Sequence, residues 1–164
     1  VPGGSSVPIL PSNLLFKTAK GETRLMTYES MSDGGFATGS MIGSGGFIVY
    51  DDRQCIVRNT WNFSRFYHHE SCGQCSPCRE GTGWMEKIIH KILDGKGTVA
   101  DIDLLWDIQS KIDGKTICPL GDAASWPVAS AIRHFRSEFE EYVKNPSSIK
   151  DVKHYYRLNN LAEA

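Results

Sequence analysis

Three cysteines spaced three apart, Cys72, Cys75 and Cys78, stand in the run Ser71-Cys-Gly-Gln-Cys-Ser-Pro-Cys-Arg79 and constrain this chain more than any other feature. A fourth, Cys118, follows at a distance and precedes a proline (Thr116-Ile-Cys-Pro119). A C-x₂-C-x₂-C run lets three thiolates converge on one small inorganic object. A remote cysteine supplies the fourth when the chain folds back. This three-plus-one partition suits a [4Fe–4S] cluster. Structural zinc sites commonly take two ligands from each of two cysteine pairs, so zinc stands as the alternative to iron–sulfur. The pattern points first to an electron carrier.

The rest of the composition is that of an ordinary soluble domain. At 164 residues with 40% hydrophobic and 23% charged residues, the chain has room for one domain or one and part of another. The net charge of −1 suggests neither nucleic acid nor an anionic membrane as partner. No apolar run approaches the roughly 18 residues of a membrane span. The opening VPGGSSVPILP has neither the charged region nor the apolar core of a secretory signal. Because the chain starts at Val1 in a turn-like sequence, a fragment or processed piece is expected. Five cysteines, three of them too close to pair with one another, favour metal binding in a reducing compartment over a disulfide scaffold.

The pattern divides near residue 57. Residues 1–57 are rich in Gly, Pro and Ser. Gly45–Tyr50 predicts a strand, Asp51-Asp52-Arg53 a turn and Gln54–Val57 the return strand. Pro2, Pro8 and Pro11 keep any earlier strand short or at an edge. From about residue 58 the pattern is helical. Trp61, Arg65 and His68–His69 recur at helical spacing and lead to Glu70 and Ser71. Arg79–Leu93 carries an apolar stripe of Trp84, Ile88, Ile89 and Ile92 and ends at Asp94-Gly95. Thr98-Val-Ala-Asp101 has the form of a capping box opening a third helix, which buries Ile102, Leu105, Trp106 and Ile108 and stops before Asp113-Gly114. A fourth runs from about Ala124 to Lys144 with Val128, Ile132, Phe135, Phe139 and Val143 inward and Pro127 in its first turn. Four helices with short connections suggest a bundle. The tail, 146–164, is expected to add a short helix around Val152–Leu161 or none.

Around the cysteines, Gly73 and Pro77 suit a tightly wrapped loop. Ser71 and backbone amides are candidate donors to sulfur, which raise a cluster's reduction potential. Arg79 either adds to this electrostatically or caps an exposed helix start. Trp84, Ile117 and Trp126 are expected to form a low-polarity shell. Cys55, in a predicted strand, reads as a buried thiol and not a ligand. His68 and His69 read as surface or packing residues. The glycines of Gly39–Gly46 match no phosphate-binding pattern and precede a strand, so they read as a bend. No Ser–His–Asp or Cys–His catalytic grouping is recognisable, and no catalytic residue is expected.

The segment Glu70-Ser-Cys-Gly-Gln-Cys-Ser-Pro-Cys-Arg-Glu-Gly-Thr-Gly-Trp84 resembles the NADH-oxidising flavoprotein of proton-pumping NADH:quinone oxidoreductase, respiratory complex I. Thr116-Ile-Cys-Pro-Leu-Gly-Asp-Ala-Ala-Ser-Trp-Pro127 and Ile132-Arg-His-Phe-Arg136 extend the resemblance. Val1-Pro-Gly-Gly-Ser-Ser-Val-Pro8 is similar to that family's soluble-ligand-binding β-grasp segment. Pro119 and Ser125 depart from the alanines expected there.

The resemblance implies an α+β chain: a partial β-grasp unit over 1–57, an all-α four-helix domain over 58–145 carrying the cluster, and a tail over 146–164. It implies that Cys72, Cys75, Cys78 and Cys118 ligate a [4Fe–4S] cluster that passes electrons from reduced FMN toward quinone. NADH and FMN belong to a domain of the parent subunit absent from this segment, whose glycine-rich loop finds no match here. The implied partners are the other peripheral-arm subunits, at the cytoplasmic face of the membrane, or the matrix side in mitochondria. Diaphorase subunits of NAD-linked hydrogenases and formate dehydrogenases share the cysteine motif and stand as an alternative. A zinc-stapled interaction module is the alternative of a different class.

Overall fold

The structure, a computed structural model, describes residues 7–11, 13–17, 21–25, 46, 48–51 and 54–146. Within these, a short antiparallel pair, β1 (Leu15–Lys17) and β2 (Thr23–Leu25), precedes four helices: α1 (Ile56–Glu70), α2 (Ser76–Leu93), α3 (Val99–Ile112) and α4 (Leu120–Lys144). The helices pack around a core of Val57, Phe63, Met85, Ile89, Ile92, Ile102, Leu105, Val128 and Phe139. The extended segment Val7–Leu10 is buried too, and the Ile9 N–H donates to Ser130 Oγ on α4 at 2.6 Å. Residues 1–6, most of the glycine run Gly39–Gly46 and the tail from 147 onward lie outside the described residues.

Two sequence expectations are corrected at the start of the bundle. Gln54–Val57 is not a return strand: Cys55 caps α1, and Ile56 and Val57 enter the core from its first turn. The chain before it, Ile48–Tyr50, carries no strand pairing, although Ile48 and Tyr50 pack against the core. The cap is a thiol: Cys55 Sγ accepts the Arg58 N–H at 3.4 Å, and the Glu138 carboxylate of α4 accepts the Ile56 N–H at 3.3 Å. A carboxylate at a helix N-terminus and histidines in its last turn both suit the helix dipole.

The helix α2 buries Cys78, Thr82, Met85, Ile89 and Ile92. These recur at three- and four-residue spacing, so Cys78 is the first residue of the core-facing stripe. Trp84 stands beside that stripe and is 52% exposed, against the expectation. The expected burial of Trp106 fails likewise: it is 39% exposed, with the Arg133 guanidinium over its ring. The last helix starts at Leu120, four residues before Ala124, so Pro127 lies inside it and not in its first turn. Its one break in helical geometry falls at Phe135 (φ −130°, ψ 24°), well after the proline.

The capping box of α3 forms as its sequence predicts. The Thr98 N–H donates to Asp101 Oδ2 at 2.7 Å, and the Asp101 N–H donates to Thr98 Oγ1 at 3.3 Å. Lys91 of α2 donates to both oxygens of Asp101, at 2.9 and 2.8 Å, tying the start of α3 to the end of α2. Burial alone would raise the Asp101 carboxyl, but Lys91 and then Thr98 outweigh it and hold it below the usual carboxylate range. A carboxyl lowered by folding stabilises the protein above its unfolded value near 3.8. That stabilisation is lost as pH falls through the lower folded value. Asp101→Asn should therefore cost about 1–2 kcal/mol in urea unfolding at neutral pH. The difference from the unsubstituted chain should shrink as the pH is taken below about 3.8.

Candidate metal centre

Two connections of the bundle come together at one end. The first is the loop between α1 and α2, which holds Cys72 and Cys75 and delivers Cys78 on the first turn of α2. The second is the linker between α3 and α4, which holds Cys118. Helix α1 stops because Ser71 turns extended (ψ 120°), its N–H closing on the Tyr67 carbonyl. Gly73 then takes φ +79°, a left-handed conformation that costs an ordinary L-residue energy. Cys75 caps α2, and Pro77 occupies the second position of that helix, where its missing N–H removes no helical hydrogen bond.

Arg79 fastens the loop. Its guanidinium donates to the Gly73 carbonyl at 2.7 Å and to Ser76 Oγ at 3.4 Å, and it pairs with Glu80 at 2.9 Å. These contacts of Arg79 are local and tie the loop to the helix that follows. Two sulfurs receive polar contacts. Ser71 Oγ lies 3.2 Å from Cys78 Sγ. The Ile117 N–H donates to Cys75 Sγ at 3.4 Å, joining the linker to the loop across 42 residues of sequence. The Ser71 contact follows the sequence expectation. The Ile117 amide carries no signal in its side chain, and only its place beside Cys118 could have pointed to it.

The thiols differ in exposure: Cys78 is buried, Cys75 half-buried, and Cys72 and Cys118 exposed. Among the described residues, no three His, Cys, Asp or Glu side chains are gathered closely enough to hold a metal ion. The donor chemistry nonetheless fits an iron–sulfur group. Four thiols, two of them already contacted by N–H or O–H groups, border the N-terminal ends of α2 and α4. Those helix ends carry partial positive charge, which suits an anionic group bound between them. Cys72 and Cys118, being exposed, are not held in place by core packing.

The expected apolar shell is not formed by the described residues, Trp84 being 52% exposed. Ile117 is 88% exposed and contributes its amide, not its side chain. The Trp126 indole N–H donates to Asp113 at 3.0 Å, which braces the linker. Cys55 lies apart, half-buried, with its sulfur 2.8 Å from the Tyr142 hydroxyl. Burial first, then the contact with Cys55, pushes the Tyr142 phenol far above its ordinary range. His68 is half exposed and faces Glu86 at 3.3 Å.

A family model described as the NADH-ubiquinone oxidoreductase-F iron-sulfur binding region matches residues 58–142. The chain is 42% identical over 152 residues to the first F-type subunit of the NADH-quinone oxidoreductase of Rhizobium meliloti (strain 1021), covering 90% of this chain and 33% of that protein. It is 46% identical over 148 residues to the F-type subunit of the NADH-quinone oxidoreductase of Rickettsia felis, covering 90% and 32%. The chain thus spans about a third of the length of the curated relatives it matches. Among solved structures, an NAD+-reducing [NiFe]-hydrogenase in the H2-reduced state superposes with a TM-score of 0.67 at 30% identity, over 88% of this chain and 23% of that one.

A methyl group added at Gly73 would meet only Arg79 Cδ at 3.7 Å, an ordinary contact. Its cost is therefore that of the backbone alone. Gly73→Ala should destabilise the loop by about 1–2 kcal/mol, and Gly73→Asn by less, because Asn tolerates this region better. Thermal unfolding of the two variants side by side gives the order; equal stability of all three chains would contradict it.

Proposed function

Because the chain belongs to the NADH-ubiquinone oxidoreductase-F iron-sulfur binding family, we propose that Cys72, Cys75, Cys78 and Cys118 together hold one [4Fe–4S] cluster in an electron relay. The observation that carries this reading is the Ile117 N–H on Cys75 Sγ, which holds the fourth cysteine's linker against the loop of the other three. A cluster of this kind, when bound, takes up and gives back electrons singly. The chain's own residues hold, orient and tune. Cys78 anchors the site to the core, and Arg79 fixes the loop at Gly73. Ser71 and the Ile117 amide lower the electron density on two sulfurs, which favours the reduced state. Proton transfer and nucleophilic attack have no part in such a relay.

The parent protein in this reading oxidises NADH through FMN and sends electrons toward quinone, as one subunit of a proton-pumping NADH:quinone oxidoreductase. NADH and FMN would bind outside this segment, which is a third of its relatives' length. The same reading makes 1–57 part of a soluble-ligand-binding β-grasp unit, 58–145 the cluster domain and 146–164 a tail. Val7–Leu10, buried against α4, supports a close association of the first two. The partners are the other peripheral-arm subunits, at the cytoplasmic or matrix face. No helix among the described residues is long and apolar enough to cross a membrane.

The likeness to the NAD+-reducing hydrogenase supports a second reading on the same cluster, a diaphorase subunit of a hydrogenase or formate dehydrogenase. The curated relatives from NADH-quinone oxidoreductases, at 42% and 46% identity, favour the first.

Anaerobically purified protein should contain about four iron and four acid-labile sulfide per chain. One zinc and no sulfide, in protein never exposed to air or excess zinc, would replace the relay with a structural module. In the iron-loaded protein, Ser71→Ala should retain the cluster and lower its reduction potential in a dye-mediated titration. An unchanged potential would remove Ser71 from the tuning role.

A further inference from the structure

We propose that Gly81 and Gly121 are positioning residues that set how close Cys118 comes to the three-cysteine loop. The inference rests on the reading that the four cysteines share one cluster. Each glycine follows a cysteine at the third position: Cys78-Arg-Glu-Gly81 and Cys118-Pro-Leu-Gly121. Each is buried within a helix, α2 and α4 respectively. Neither has the positive φ that Gly73, Gly95 and Gly114 adopt, so backbone freedom does not explain them. Glycine inside a helix is less favourable than alanine. A close approach is the compensating gain.

The two approaches converge on the same linker. A methyl group at Gly81 would stand 2.6 Å from Ile112 Cδ1 and 2.8 Å from its Cγ1. Ile112 is the last residue of α3 and is 1% exposed, and it meets the new methyl with Cγ1 as well as with its terminal Cδ1. The added methyl would part α2 from the end of α3, where the linker to Cys118 begins. At Gly121 a methyl would overlap Thr116 Oγ1 and stand 2.6 Å from its Cγ2 and 3.0 Å from its Cβ. A contact with Cβ cannot be relieved by rotating the side chain, so the whole of Thr116 would have to shift.

Thr116 joins the fourth cysteine to the loop of the other three. Its hydroxyl donates to the Cys118 carbonyl at 2.9 Å, and the next residue donates its N–H to Cys75 Sγ at 3.4 Å. Displacing Thr116 therefore disturbs Cys118 on one side and the contact with the loop on the other. Gly81 sets the linker's origin through Ile112, and Gly121 sets its far end through Thr116.

The test uses the whole parent protein, loaded and purified anaerobically, with electron paramagnetic resonance before and after ferricyanide. Gly81→Ala and Gly121→Ala should keep three thiolates in place and loosen the fourth. On oxidation the variants should show the near-isotropic signal of a three-iron cluster, and their iron should fall from about four toward three per chain. Cys118→Ala gives the reference spectrum. Pairing Gly81→Ala with Ile112→Ala removes the atoms that the new methyl meets and should restore the four-iron spectrum. Pairing Gly121→Ala with Thr116→Gly should not restore it, because Thr116 itself holds the linker. Thr116→Gly alone, which adds no bulk to the core, should give the three-iron signal even if both alanine variants fail to fold. Four-iron spectra in Gly121→Ala, Gly81→Ala or Thr116→Gly would overturn the assignment. An unsubstituted protein without iron or sulfide would instead overturn the cluster reading itself.

Discussion

The site depends on the packing of α2 against α3 and α4, because that packing brings two linkers, far apart in sequence, to one end of the bundle. The Ile117 N–H on Cys75 Sγ is the point at which they touch. Each linker is also braced from its own side. The Arg79 guanidinium holds the Gly73 carbonyl in the first, and the Trp126 indole holds Asp113 in the second. The Gly114 N–H, donating to the Asp122 carboxylate at 2.6 Å, adds a further tie between the second linker and α4. Four thiols can serve one centre only if both linkers keep their places, and these contacts serve that purpose.

The two linkers also share an electrostatic setting. Cys75 caps α2 and Cys118 immediately precedes the proline that caps α4. Helix N-terminal ends carry partial positive charge, so both helix starts set a positive potential beside these two cysteines. Cys78, at the head of the buried stripe Cys78–Thr82–Met85–Ile89–Ile92, ties that region to the hydrophobic core. The Thr82 hydroxyl donates back to the Cys78 carbonyl at 2.7 Å, which satisfies a buried polar group beside it. The core and the candidate site are thus one unit, and loosening of the first is felt at the second.

What was legible in the sequence was local. The left-handed glycine after Cys72 and the Thr98–Asp101 capping box act over a few residues, and both took their expected form. What was not legible depended on packing or on an unusual cap. Ile56 and Val57 are β-branched and follow turn residues, so they resemble a strand. The cap that makes them helical is a thiol, a residue type with little capping signal. Pro127 suggested a helix start, whereas Pro119 marks it. Trp84 and Trp106 drew attention by size, yet the smaller Thr82 and Met85 on α2, and Leu105 and Ile108 on α3, occupy the inward positions. At the site, the cysteines stood out, but the Ile117 amide acts through the backbone and is silent in the sequence. The close approaches at Gly81 and Gly121 left one trace, the repeated Cys-x-x-Gly.

The most direct test of the account is electron delivery to these cysteines in the intact parent protein. NADH is added anaerobically, the sample is frozen within a turnover, and its low-temperature paramagnetic resonance spectrum is compared with that of a Cys75→Ala variant. The account predicts a fast-relaxing S = ½ signal in the unsubstituted protein that is lost or converted in the variant. The same signal in both, unchanged in shape and intensity, would mean that the electrons reside elsewhere and that the cysteine loop is not part of the relay.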